Sequence, residues 1–565
     1  GGNTLHLRAG GNPGAVFGVY EFLRRYGGCR FSGLGPDGEL VPSRTSITAG
    51  GLPLRRKPKL WYRGPQLSTT GRDRLSEEES TQLCVQWVDW LAKNGFNYLM
   101  HNPGFVGGPW FERHIRPEML KRGLKFDMNH HNLGQWVPAK RHFAEHPEWF
   151  PLVDGERVAR GGQLAICTSN PGAVQAVIDG VTGYLREHPE VSIIGVIPED
   201  GIGVCQCEAC TRLDVANGID PQEHLRTISF NADGKGNRAK TRRYTLLVNQ
   251  VARAVRAEFP DVLVGYAAYV DLTCPDEEVP LESNVVPWVA IYWCDGARPI
   301  AEGSPSRINR LFYDVLKQWR IRHRGKVITY SYYMGMNAQR SLPYPQDRVI
   351  LREWRSLKAL GIDGATLQER PDSHEIYALN LLAFTRSAWE EDVDPDALLD
   401  EYLEGMYGSV AGEIRPIYDG LHAAWRRAEE EGDAGKWPAF SSNRHSGALI
   451  TPNGRNIVLQ MDALGEERLD ECLRRARERA GNDRERRQVA KLTQVTQYWK
   501  AAAAFYRLEQ RATGTAGLSD EDARALREQA ERIAQEGAEC FNRLPAGWAK
   551  SRYTPEKLFP MWKQP

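Results

Sequence analysis

Long hydrophobic runs are missing from this 565-residue chain, and so is any excess of charge of one sign. No stretch approaches the ~18 consecutive apolar residues of a membrane-crossing helix, so no membrane span is expected. Lys plus Arg number 73 and Asp plus Glu 72, a balance that offers no field to nucleic acid and favours a neutral, locally recognised partner. The ten cysteines are scattered, which fits neither a disulfide framework nor a zinc-finger array. No Gly-rich phosphate loop follows the first strand of the central region, and that argues against an open dinucleotide-binding sheet. Internal repeats and low-complexity tracts are also lacking. Gly1 rather than Met stands first, so the native start is expected upstream and the lack of a signal peptide carries no weight.

What is present is an ordinary globular composition, 41% apolar and 26% charged, in a chain too long for one core. Sixteen Trp and 21 Tyr supply flat faces with polar edges, suited to packing in a core or stacking on pyranose rings.

Three regions follow one another. Residues 1–58 read as a partial small α/β domain. In it Leu5-His6-Leu7-Arg8 alternates like a strand, Gly10 to Gly14 turns, and Ala15 to Tyr26 is helical up to Gly27-Gly28. Residues 59–375 alternate short β-rich runs with longer amphipathic segments. Eight strands are expected, at Leu60–Gly64, Tyr98–His101, Lys125–Asn129, Ser192–Ile197, Leu263–Tyr269, Val285–Trp293, Val327–Tyr332 and Gly364–Gln368. Helices are expected between them, among others at Glu77–Asn94, Pro171–His188, Tyr244–Phe259 and Asn309–Arg322. That order predicts a (β/α)8 TIM barrel. Residues 376–565 read as an α-helical C-terminal region, opened by the cap Asp394-Pro395 and interrupted by a loop over Gly432–Gly454.

Barrel chemistry gathers where strands end and loops begin. The fourth strand ends in Ile197-Pro198-Glu199-Asp200-Gly201 and the eighth in Gln368-Glu369-Arg370-Pro371-Asp372. An adjacent Glu-Asp on a loop is most often only solvated; the strand-end position is what singles out Asp200, Glu199 and Glu369. Cleaving a glycosidic bond takes one carboxylic acid for the leaving oxygen and a second group for the developing oxocarbenium ion. In some enzymes that second group is the substrate's own acetamido oxygen. Asp200, or Glu199, opposite Glu369 is therefore the expected catalytic pair. His130, His131, Trp136, Trp293, Tyr332, Tyr333, Arg63 and Arg370 are expected to line the sugar subsites. His130-His131 suits hydrogen bonding to hydroxyls better than metal ligation, because adjacent histidines rarely share an ion. Cys205-x-Cys207-x2-Cys210 would hold zinc if Cys167, Cys274 or a His supplied a fourth ligand; one disulfide plus a free thiol fits equally well. In either case it pins the loop carrying Asp200. No metal ligand is assigned and no cofactor is required, since acid catalysis completes the reaction.

Several strings together carry a family likeness. Gly14-Ala15-Val16-Phe17-Gly18-Val19-Tyr20-Glu21-Phe22-Leu23 resembles the end of the small α/β domain that precedes hexosaminidase-type and glucuronidase-type barrels. His146-Pro147-Glu148-Trp149-Phe150, Asp154-Gly155-Glu156-Arg157, Cys167-Thr168-Ser169-Asn170-Pro171 and Asp200-Gly201 with the three cysteines resemble glycoside hydrolase family 163, first grouped as domain of unknown function 4838. Gly361-Ile362-Asp363-Gly364, Trp389, Asp394-Pro395-Asp396 and Tyr407-Gly408 are similar to its barrel end. The chain departs from that pattern at Glu199, where a small polar residue such as Asn is more usual.

The resemblance implies a β-N-acetylglucosaminidase type of hydrolase, endo-acting on complex N-glycans in characterised members, with a glycan partner and an extracytoplasmic location. Two alternatives stand beside it. One is an α-glucuronidase-type enzyme, which would need a cationic pocket from Arg63, Arg370 or Arg157. The other is a non-catalytic carbohydrate-binding barrel.

Overall fold

The computed structural model describes residues 4–52, 54–67, 74–101, 108–159, 166–198, 205–220, 222–223, 236–291, 294–333, 341–431, 465–514, 518–549 and 551–562. Eight parallel strands close into a barrel in sequence order: β1 (Tyr62–Leu67), β2 (Tyr98–His101), β3 (Lys125–Met128), β4 (Val191–Gly195), β5 (Leu263–Ala268), β6 (Val285–Ala290), β7 (Ile328–Ser331) and β8 (Gly364–Glu369). Each falls on one of the eight β-rich runs, shifted by a few residues. All the residues of β1, β2, β6 and β7 are buried, so these strands show no alternation between a buried and an exposed face.

Amphipathic helices form the outer layer. Glu77–Lys93 starts on a capping box, in which Glu79 N–H donates to Ser76 Oγ (3.2 Å) and Ser76 N–H to Glu79 Oε2 (2.8 Å). Pro171–Glu187, Arg238–Glu258, Arg307–Arg322, Asp347–Leu360 and His374–Trp389 continue the layer. The β5–β6 connection departs from the repeat, carrying only the short turn Val270–Leu272.

Hydrogen bonds that skip a strand show which side chains fill the lumen. Tyr62 on β1 donates to Asp127 on β3 (2.7 Å), Tyr330 on β7 donates to Gln66 on β1, and Thr366 on β8 reaches Met100 Sδ on β2 (3.7 Å). Alternation then puts Gln368, in register with Gln66, on the lumen side and its neighbours Leu67 and Glu369 on the helix side.

The N-terminal segment does not build a sheet around Leu5–Arg8. Those residues carry no regular structure, and Leu5 and Leu7 stay exposed, because no described strand lies beside them to pair. The helix Asn12–Phe22 forms as expected, and one two-residue antiparallel pair joins Arg30–Phe31 to Glu39–Leu40. The segment packs on the barrel helix His374–Trp389 through Phe17 against Trp389, and on the following helix through Arg30 Nε to Glu404 (2.8 Å).

After the barrel come Pro395–Tyr407, Ala411–Glu431, Glu466–Arg479, Asp483–Gly514 and Asp520–Asn542. The expected loop 432–454 lies outside the described residues. This helical region folds back on the loops beyond β7, β8 and β1. Ser341 donates to Trp548 O (2.5 Å), Glu375 N–H to Gly547 O (2.9 Å) and Arg74 Nη2 to Leu544 O (2.6 Å).

Three buried carboxyls give the fold a pH dependence. Burial pushes Asp127 up to about 8, against a smaller opposing effect of the Tyr62 hydroxyl. Burial likewise holds Glu353 and Glu375 at about 7. Each raised value means stability that is complete below the unfolded pKa of about 4 and is lost as pH rises through 7–8. The unfolding midpoint is therefore expected to fall between pH 5 and pH 9. Asp127→Asn keeps an acceptor for Tyr62 and should recover a few kcal/mol of the loss at pH 9, at about 1.4 kcal/mol for each tenfold difference in proton affinity between the folded and unfolded chain, with no gain at pH 4. Urea titrations at the two ends of that range measure it; equal slopes in variant and wild type would contradict the assignment.

Candidate active site

The C-terminal mouth of the lumen is polar and partly unsatisfied. Asn129, just past β3, lies over Gly195 and Gly265. A Cβ at Gly265 would come within 1.7 Å of Asn129 Oδ1, so only glycine leaves the amide its place. Neither amide atom of Asn129 has a partner among the described residues, nor do Gln368 Oε1 and His130 Nδ1. An unmade hydrogen bond on a buried group costs about 1–3 kcal/mol, so such a cluster suits a ligand rich in hydroxyl and amide groups. Aromatic rings form one wall: Trp288 and Tyr332 lie 5.2 and 5.1 Å from Tyr330, and the His130 ring lies 6.1 Å away on the other side. Burial, with the adjacent His131 ring adding to it, keeps His130 well below the usual imidazole range and therefore neutral.

The exits of β3 and β4 are tied together. Asn132 and Leu133 N–H both donate to Ile197 O (2.9 and 2.8 Å), and Ile197 N–H donates to Asn132 Oδ1 (3.0 Å). His131 Nδ1 donates to Pro198 O (2.7 Å) from a left-handed backbone, φ 42°. Val270, at the exit of β5, holds φ 51°, which is strained for a β-branched residue. Thr273 Oγ1 and Thr273 N–H, both donating to its carbonyl, hold it there. Strain of this kind at two strand exits accords with a functional mouth.

Carboxylates after β5, β6 and β8 are neutralised by buried cations: Asp271 by Lys240, Asp295 by Arg298 (2.7 Å) and Asp372 by Arg370 (3.1 Å). Glu199 and Asp200, immediately after the tethered Pro198, lie outside the described residues, as does Trp293.

Of the expected site residues, the mouth brings together His130, His131 and Tyr332. Others lie elsewhere, each for a visible reason. Glu369, one residue beyond the lumen-facing Gln368, turns under the helix His374–Trp389. There it is fully buried and meets His374 Nδ1 at 3.2 Å, with Trp90 edge-on to the imidazole. Burial raises the Glu369 carboxyl well above its ordinary range and lowers His374 to about 3, so two neutral groups share this hydrogen bond. Glu369 does not face Asp200's strand exit across the lumen.

Arg63 sits at the opposite end of the barrel. It donates to Gly95 O (2.8 Å) and Leu60 O (2.6 Å), packs 5.0 Å from Trp389, and is lowered to about 9 by burial. Trp136 lies behind β4, its Nε1–H bonded to Gly195 O (3.0 Å) and its ring edge-on to Tyr184. Tyr333 points to the helix side and donates to Glu353 (2.7 Å), beside a water-sized cavity of about 20 Å³. Arg370 is engaged by Asp372. Gln66, Gln368, Asn129, Tyr330 and Trp288 are not among the site residues expected from the sequence; the signal for them is which face of its strand each takes, and strand patterning does not carry it.

These features define a (β/α)8-barrel protein with a polar, aromatic-walled mouth. Residues 34–419, more than half of the chain, match the family described as Domain of unknown function (DUF4838), and the chain belongs to that family. No curated protein matches it in sequence. Among solved structures, a family GH115 4-O-methyl-α-glucuronidase with specificity for decorated arabinogalactans is 14% identical, over 96% of this chain and 68% of its own, with a TM-score of 0.53. A Thermobaculum terrenum O-GlcNAc hydrolase mutant is 10% identical over 88% and 93%, TM-score 0.44. A family 89 glycoside hydrolase from Clostridium perfringens, in complex with 2-acetamido-1,2-dideoxynojirmycin, is 10% identical over 97% and 67%, TM-score 0.45. The likeness to the first of these is one of fold.

Proposed function

We propose that the protein is a glycoside hydrolase cleaving a β-N-acetylglucosaminide linkage in a glycan. One observation carries the reading. The described carboxylates Asp271, Asp295 and Asp372, after β5, β6 and β8, are each paired with a buried cation, and the sequence that follows β4 supplies the acidic pair Glu199-Asp200. The chain leading to that pair is held by Asn132 and His131. The sequence likeness to glycoside hydrolase family 163 supports the same substrate class.

With Glu369 turned away, the two acids of this reaction are neighbours in sequence. We assign one as the acid that protonates the leaving oxygen and the other as the group that orients the substrate's acetamido carbonyl. The acetamido oxygen bonds to C1 as the C1–O bond breaks and the proton passes to the leaving alcohol; water then opens the ring so formed. His130, Asn129 and Gln368 would bind hydroxyls, and Tyr332 would bound the sugar ring.

The uronic-acid alternative is less well supported, because the arginines that would form its pocket are occupied. Arg63 lies at the far end, Arg370 is paired with Asp372, and Arg157 donates to Phe150 O (2.6 Å). A panel of aryl glycosides and defined glycans tests the reading. Release of N-acetylglucosamine or of an N-acetylglucosamine-terminated product is expected. Release of a uronic acid would establish the alternative; glycan binding without turnover, retained in Asp200→Asn, would establish a binding barrel.

A further inference from the structure

We propose that Cys167, Cys205, Cys207 and Cys210 form a structural zinc site. The four thiol sulfurs lie within 4.8 Å of one another, with Cys167 Sγ 3.6 Å from Cys207 Sγ and 3.7 Å from Cys210 Sγ. A tetrahedron with Zn–S bonds of ~2.3 Å has edges of about 3.8 Å, so these spacings fit four ligands around one ion. Two disulfides would instead need two separations of about 2.05 Å and larger ones between the pairs. Cys167 is thus the fourth ligand that the spacing of the other three lacked.

The surroundings favour bound thiolates. Leu152 N–H donates to Cys205 Sγ (3.3 Å), and Arg157 Nη1 lies 3.7 Å from the same sulfur. Both come from the short pairing of Leu152–Val153 with Glu156–Arg157, so one hairpin supplies an amide donor and a cation to a site that would carry net negative charge. Cys207 occupies the N-cap position of the helix Glu208–Ala216, where the helix dipole stabilises a thiolate. The four cysteines are buried in a cluster separate from the main core, with Leu152 and Ala209 as their apolar neighbours among the described residues. Four thiolates at tetrahedral spacing select zinc over harder cations. The site would fasten the chain five residues beyond Asp200, as the His131–Pro198 bond fastens it two residues before; this last consequence alone rests on the hydrolase reading.

The test is metal analysis of the purified full chain by mass spectrometry. About one zinc per chain is expected, released by a thiol-specific mercurial. Protein produced with cobalt should show the thiolate charge-transfer and intense visible bands of a tetrahedral CoS4 centre. Cys167→Ser and Cys207→Ser should lower bound zinc about tenfold or more, whereas Cys84→Ser and Cys472→Ser, outside the cluster, should not. Should the serine variants fail to fold, the wild-type zinc content and cobalt spectrum decide. Metal-free folded protein, an iron–sulfur chromophore, or an intact mass four hydrogens light (two disulfides) would each overturn the proposal. All of these readouts are independent of hydrolysis.

Discussion

Asp200→Asn is expected to lower kcat/KM for glycan hydrolysis by about a hundred- to ten-thousandfold, the range for losing a positioned acid or base, with no change in the unfolding midpoint. Glu199→Gln should fall in the same range, and the two losses should be far from additive because the groups act on one substrate. Glu369→Gln is the informative contrast. Its carboxyl is buried on the helix side, held neutral, and bonded to His374, and an amide of the same shape keeps that partner. The variant should therefore retain kcat/KM within about threefold, at a cost of about 1 kcal/mol in stability. Kinetics and thermal unfolding on the three variants, side by side, settle the matter. A hundredfold loss in Glu369→Gln at unchanged stability would return that residue to the catalytic pair and remove the basis for placing both acids on the β4 exit.

Gly364→Ala is expected to have the largest effect on folding. Gly364 begins β8 at φ 149°, and a Cβ there would lie 1.9 Å from Tyr62 O on β1. The obstructing atom is backbone in the register that joins the last strand to the first, Gly364 opposite Tyr62, so neither side can yield without opening the seam. A loss of about 3–5 kcal/mol follows, enough to leave much of the chain unfolded. Soluble yield and a denaturation curve measure it. A midpoint within about two degrees of wild type would mean that the seam tolerates the methyl group.

The two predictions differ in how far sequence alone could reach. The eight strands were legible because each is a short β-rich run flanked by Gly, Pro or an amphipathic segment. The first region was legible only in its helix. Leu5-His6-Leu7-Arg8 has the right alternation, yet a strand needs a neighbour to satisfy its backbone, and alternation does not say whether one exists. The cysteine spacing left zinc and a disulfide with a free thiol equally open, and Cys167, Cys274 or a histidine as the fourth partner, since that choice depends on how two loops meet.

Sequence by itself determined the barrel, the position of its strand exits and the acidic pair after β4, because hydrophobic period and turn residues are local properties of the chain. Only the tertiary structure decided which face each strand-end side chain takes. Where both faces of a strand are buried, pattern is silent, and a shift of one residue separates Gln368 in the lumen from Glu369 beneath a helix. The same cause carried Arg63 to the far end and Trp136 and Tyr333 behind the wall, and set Asn129, Gln66 and Tyr330 around the mouth.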